Sequence, residues 1–191
     1  MLFRSYTQKE KVDLENKELI NHILHSRNFI DYKWVVPRKE IVIAQWVRFR
    51  CQFGCNEYGK AGSCPPAVPS IEECRNMIFE YNNAIILHFI MKSTKQDEKI
   101  NLMSALLELE REIFLEGYYK SFLLQYADCV FCKICAAGGT REKCVNKIKC
   151  RPSIDAMGID MFQTARNAGY EIQVLKEYND VQNRFAILLI E

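Results

Sequence analysis

No run of residues in this sequence approaches the roughly 18 consecutive apolar positions that a membrane-spanning helix requires. The first ten residues, Met1 to Glu10, also lack the apolar h-region of a secretory leader. Charge of one sign is missing as well: 26 Lys and Arg stand against 24 Asp and Glu, a formal net charge of +2. That balance offers no general electrostatic case for nucleic acid or a membrane surface. Low-complexity segments are absent. So are a glycine-rich phosphate loop, a dinucleotide-binding fingerprint and a serine–histidine–acid arrangement. These absences lead to the expectation of a cytoplasmic, soluble globule with no nucleic-acid or membrane partner. The partner to look for is a redox protein or a small-molecule substrate.

Cysteine is plentiful and unevenly placed. Four of the nine cysteines fall within 51–74 and five within 129–150, with none elsewhere. Thiols serving only as core residues would be scattered among the elements. An odd number cannot pair completely within one chain, and in a reducing compartment clustered thiols are better read as metal ligands.

The second segment, Cys129-x2-Cys132-x2-Cys135-x8-Cys144, has the spacing by which ferredoxin loops hold a [4Fe–4S] cluster. Zinc held by four thiolates is the alternative, but zinc ribbons usually present two separated Cys-x2-Cys pairs. Ala136, Ala137, Gly138 and Gly139 are small enough for backbone amides to approach cluster sulfurs. The first segment, Cys51-x3-Cys55-x8-Cys64-Pro65-Pro66, supplies three ligands and leaves a possible open corner. Cys74 shares a helix face with Ile71 and Ile78 and reads as a core thiol. Cys150 stays open: it could substitute for Cys144, reach the other site, or simply precede a helix. His22, His25 and His88 are further candidates for a fourth ligand. Arg141, Lys143, Lys147, Lys149 and Arg151 crowd the second segment against Glu142. They form either a solvated loop face or a field that favours a reduced cluster or an acidic partner.

The expected architecture is α+β: a roughly four-stranded mixed sheet with a β-α-β crossover, packed helices, and cysteine-rich metal loops at one end, all within one domain over 1–191. Helical spacing predicts an N-terminal helix at 13–28. Val, Ile and Trp between 34 and 49 suggest two extended segments, the second delivering Cys51. A Ser70/Glu73 capping box opens a helix over 71–82. Strands at 84–90 and 121–126 flank a long helix at 97–116, and this order favours a parallel, right-handed crossover. A helix opened by Pro152 and Ser153 runs to Gly169. Strands at 172–175 and 185–190, joined through Asn179-Asp180, form a closing hairpin.

The motifs Val47-Arg48-x2-Cys51-x3-Cys55-x8-Cys64-Pro65-Pro66, Cys129-x2-Cys132-x2-Cys135-x8-Cys144 and Pro152-Ser153-Ile154-Asp155-Ala156-Met157-Gly158-Ile159-Asp160 carry a resemblance. They resemble an uncharacterised, cysteine-rich family of predicted metal-binding proteins (domain of unknown function 2284), over most of the chain from about residue 30. Ile154 and Asp155 depart mildly from the family pattern, and Cys150 looks like an addition to it. The resemblance strengthens the seven-cysteine metal reading, implies an anaerobic or oxygen-sensitive setting, and leaves activity open. The leading expectation is an iron–sulfur protein acting in electron transfer or as accessory to a redox enzyme. One alternative is a redox or Lewis-acid enzyme using the open-cornered first site; a pocket lined by Arg48, Arg50 and Lys60 beside Cys51 would favour it. The other is a zinc-stabilised interaction module.

Overall fold

The computed structural model describes residues 8–91, 95–177 and 181–191, with side chains from residue 17 onward. The Asn179-Asp180 turn lies outside the described residues. In chain order the elements are α1 (Gln8–Ser26), β1 (Tyr32–Val35), α2 (Pro37–Glu40), α3 (Gln45–Gly54), α4 (Ile71–Ile78), β2 (Ala84–Met91), α5 (Gln96–Leu115), β3 (Phe122–Leu124), a 3-10 turn (Asp155–Met157), α6 (Met161–Asn167) and β4 (Gln182–Leu189).

The strands form a sheet in the order β1-β2-β4-β3. Both faces are covered, which explains why β2 and β4 read as near-continuous apolar runs rather than alternating ones. On one face Ile85, Leu87, Leu123, Ala186 and Leu188 pack under Ile20, Ile23 and Leu24 of α1 and Met103, Leu106, Leu109 and Ile113 of α5. On the other, Ala84, Ile86, Leu124, Ile187 and Leu189 pack against Cys74 and Ile78 of α4 and against Ile154, Met157, Ile159 and Ala165. Each fully buried Leu or Ile here contributes about 1.5–3 kcal/mol.

The α+β class is the one expected, but the pairing differs. Every neighbouring pair is antiparallel: β1 with β2, β2 with β4, and β3 with β4. The sheet is therefore antiparallel rather than mixed. β2 and β3 do run in the same direction on either side of α5, yet β4 lies between them and takes the hydrogen bonds that a direct crossover would have made. A local strand–helix–strand rule has no knowledge of a strand that arrives sixty or so residues later and inserts.

Three other expectations change. The segment delivering Cys51 is the helix α3, not a strand: of the apolar residues that suggested extension, Ile43 makes an isolated bridge with Ile159, after which Val47 is the buried helical contact. Residues 172–175 are not a strand, and Val174 and Leu175 stand 72% and 42% exposed. The helix expected from 152 to 169 is broken at Gly158, whose φ of +76° belongs to the left-handed region. Asp160 then caps α6 afresh, its Oδ1 accepting from the Gln163 amide at 3.1 Å. Helix α4 has the full Ser70/Glu73 capping box and ends at Ile78, short of 82.

Candidate metal centre

The two cysteine segments have little regular structure after α3, and each is tied to the fold by its ends. The second leaves β3 and returns beside it. The parallel bridge Gln125↔Ser153 closes its base, with the Gln125 amide donating to Pro152 O at 2.9 Å and the Ile154 amide to Gln125 O at 3.0 Å. Arg151 staples the returning strand to α5. Its Nε donates to both carboxylate oxygens of Glu110 at 2.9 and 3.0 Å, and its Nη1 donates to Ile148 O at 2.9 Å. Glu110 is buried and also accepts from the Leu123 amide at 2.9 Å. Arg141 spans the loop, donating to Lys147 O and Cys150 O at 3.0 and 3.2 Å. Two of the five basic residues are thus structural, while Lys143, Lys147 and Lys149 are exposed.

The segments touch each other. The Cys129 amide donates to Ser63 Oγ at 3.1 Å. A methyl group on Gly62 would meet the Ala137 Cβ at 3.0 Å, and one on Gly139 would sit 2.7 Å from the Gly59 carbonyl oxygen. Such close backbone approach is possible only because both positions lack a side chain.

All nine cysteines are free thiols. Cys51, Cys55 and Cys64 form one neighbourhood, in which Cys55 acts on Cys51, and Cys55 and Cys51 both act on Cys64. Burial, then Asp155 and Cys55, pushes Cys51 up; burial pushes Cys64 up to about 12, against the Ser63 hydroxyl. Cys129, Cys132, Cys144 and Cys150 form a second neighbourhood. A hydrogen bond from Cys150 holds Cys129 below the usual thiol range with help from the Phe131 amide, while the same bond and burial push Cys150 up. Asn146 Nδ2 donates to Cys132 Sγ at 3.0 Å. Cys135 is half-buried on the same loop, beside the 84%-exposed Ile134. Among the described residues, no three His, Cys, Asp or Glu side chains converge on a point where a metal ion would sit. The structure therefore gathers the thiols by segment without seating them around a centre.

Cys74 belongs to neither group. It is 1% exposed, with its sulfur 3.6 Å from Met157 Sδ and 3.6 Å from Pro69 O. The histidines are engaged away from the thiols. His22 and His25 are exposed on α1, with His25 against Tyr32, and His88 sits between Asp31 Oδ2 at 2.6 Å and Asn183 Oδ1 at 2.8 Å.

A cleft of about 700 Å³ opens beside the first group. Cys51 and Cys55 line one end, with Trp46, Arg50, Asp155, Met161, Phe162 and Arg184 among its walls. Arg50 is the only one of the three expected cations that reaches it. Arg48 turns inward, its Nη2 donating to Ala156 O at 2.7 Å and Pro69 O at 3.0 Å, and Lys60 pairs with Glu57. Asp155 is exposed on the cleft wall, and desolvation by neighbouring atoms holds its carboxyl above the usual range, opposed by Arg50 and Arg184. No sequence signal marks this cleft, because its walls come from α3, the 3-10 turn, α6, the 172–175 segment and β4.

The family described as "Predicted metal-binding protein (DUF2284)" matches residues 34–190. The chain belongs to this family. The match begins inside β1 and runs almost to the last residue, so it takes in both cysteine segments and the cleft of this DUF2284 member. No curated protein and no solved structure was found to match it. Among the described residues no helix is long and apolar enough to cross a membrane.

Proposed function

We propose that this metal-binding protein carries a [4Fe–4S] cluster on Cys129, Cys132, Cys135 and Cys144 and serves in electron transfer, directly or as accessory to a redox enzyme. Cys51, Cys55 and Cys64 would hold a second metal. The observation that carries the reading is the second loop itself, which presents free thiols on an irregular segment clamped at both ends. The donors fit in kind: soft sulfur ligands with no competing imidazole, and an Asn146 N–H already directed at Cys132 Sγ. In position they are grouped but not convergent, so seating a cluster requires their side chains to turn inward on the loop. Bound there, a cluster supplies one-electron transfer. The protein's own part is to hold the thiols, to lower the Cys129 thiol toward its ligating form through Cys150 and the Phe131 amide, and to stabilise negative charge with nearby cations.

The exposed Ile134, Val145 and Ile148, set among Lys133, Lys143, Lys147 and Lys149, provide a face for an acidic redox partner. Nine thiols and no disulfide suit a reducing, cytoplasmic setting. Anaerobic purification followed by iron, sulfide and zinc analysis with electron paramagnetic resonance tests the proposal. Brown protein with acid-labile sulfide is the expected result, and colourless protein holding zinc alone after anaerobic reconstitution rejects it in favour of a zinc-stabilised module. A second reading, a small-molecule redox or Lewis-acid enzyme, is favoured by one observation: the cleft opens on Cys51 and Cys55, the segment with only three ligands.

A further inference from the structure

We infer that the cleft binds a small organic carboxylate with an apolar body and an amino or hydroxyl donor on the carbon next to the carboxylate. The inference uses the cleft invoked in that second reading but needs only its walls. Four charged side chains line it: Arg50, Arg184, Asp155 and Asp160. Asp160 is occupied as the cap of α6. Asp155 has no hydrogen bond or ion pair from its carboxylate among the described residues, although both guanidinium groups are close enough to act on it electrostatically. Arg50 rests on the Trp46 ring at 5.8 Å and, among the described residues, the Arg184 side chain bonds Gln182 alone, so both retain donors for a ligand.

Two planar guanidinium forks and a carboxylate lining one cleft match a ligand that carries both a carboxylate and a donor. The forks suit the ligand's anion, and Asp155 suits its N–H or O–H. The ligand then completes ion pairs that the described residues leave open. Beside Gln173, Gln182 and Asn183, much of the remaining wall is apolar. Trp46, Val174 and Leu175, 45%, 72% and 42% exposed, line it together with Met161 and Phe162, a surface that a hydrocarbon or aromatic body would cover.

The test is isothermal titration of the anaerobically purified chain with L-phenylalanine, phenyllactate, 3-phenylpropionate and phenethylamine, with iron measured on the same sample. Phenylalanine, phenyllactate or both should bind, which distinguishes the amino from the hydroxyl form. The donor-less propionate should bind about tenfold more weakly, and the amine lacking a carboxylate should not bind measurably. Arg50→Gln, at an exposed position on α3, and Arg184→Gln should each weaken the best binder about tenfold. Asp155→Asn should weaken phenylalanine more than phenylpropionate. Binding by none of the four, equal binding of the amine, or indifference to both arginine substitutions overturns the inference. Iron without binding rejects the cleft assignment and leaves the iron–sulfur proposal standing; binding without iron does the reverse.

Discussion

Replacing Gly139 by Ala tests whether the two cysteine segments act as one joint. The residue has φ +79°, and an added Cβ would sit 2.7 Å from the Gly59 carbonyl oxygen, a backbone atom that cannot swing aside. The left-handed backbone costs an L-residue about 1–2 kcal/mol. Overpacking against main chain adds about 1–3 kcal/mol. Its neighbour Gly138 is the internal control: φ is +54° there, but a Cβ would find nothing within 4 Å, so Gly138→Ala carries only the first cost. The difference between the two variants isolates the contact between segments. At this chain length about 1–3 kcal/mol corresponds to a Tm gap of roughly 2–12 °C. Anaerobic thermal unfolding measures it, and hydrogen exchange should show lost protection around 59–65 and 129–140 in Gly139→Ala alone. If the two variants melt together and exchange alike, the segments are not coupled through this approach and the reasoning fails.

Cys74→Ser should cost about 1–3 kcal/mol in denaturant unfolding by burying a hydroxyl between Met157 and Ile78, while iron per chain stays unchanged; Cys135→Ser and Cys64→Ser should instead lose iron. Equal iron loss in Cys74→Ser would make that thiol a ligand. Arg151→Met removes the partner of buried Glu110, and urea unfolding should show a loss of about 3 kcal/mol, the lower end for a broken buried pair because the arginine is partly exposed; restoring stability with Glu110→Gln in the double variant would confirm the cause. Glu73 is held below the usual carboxylate range by bonds from the Ser70 hydroxyl and amide. Its support for α4 is therefore complete above the ordinary glutamate value and lost as pH falls through the lower folded one. An NMR titration should show that depressed midpoint and its partial return toward normal in Ser70→Ala, which removes the hydroxyl bond and keeps the amide one.

The parts of the fold that could be read in advance were those whose signals are local. The Ser70/Glu73 box, the apolar stripe of α5 and the near-continuous hydrophobicity of 84–90 and 185–190 each follow from neighbours in sequence. Pairing direction did not follow, because it was decided when β4 entered between β2 and β3. Helix α3 was masked by apolar residues on both sides: Trp46, Phe49 and Phe53 face outward while Val47 alone is buried, so no clean helical stripe was present. The cysteine segments announced themselves by spacing. What spacing could not reveal was that Cys150 would face Cys129, that Arg48 would turn into the core while Arg50 lined a cleft, or that Arg184 would join it from a distant strand.

The pair of main-chain bonds joining Gln125 to Pro152 and Ile154 has an evolutionary consequence. They make residues 126–152 an excursion whose two roots are held independently of what lies between them. The entropy of closing such an excursion grows only with the logarithm of its length, so doubling it would cost about 0.6 kcal/mol. The sheet is thereby insulated from experiments carried out in the loop. Apart from Arg151, which pairs with Glu110, and Tyr126, Val130 and Phe131, which pack on the core, residues there can be exchanged, added or removed to suit a different inorganic guest or a different neighbour, and the strands that carry the stability need not be redesigned.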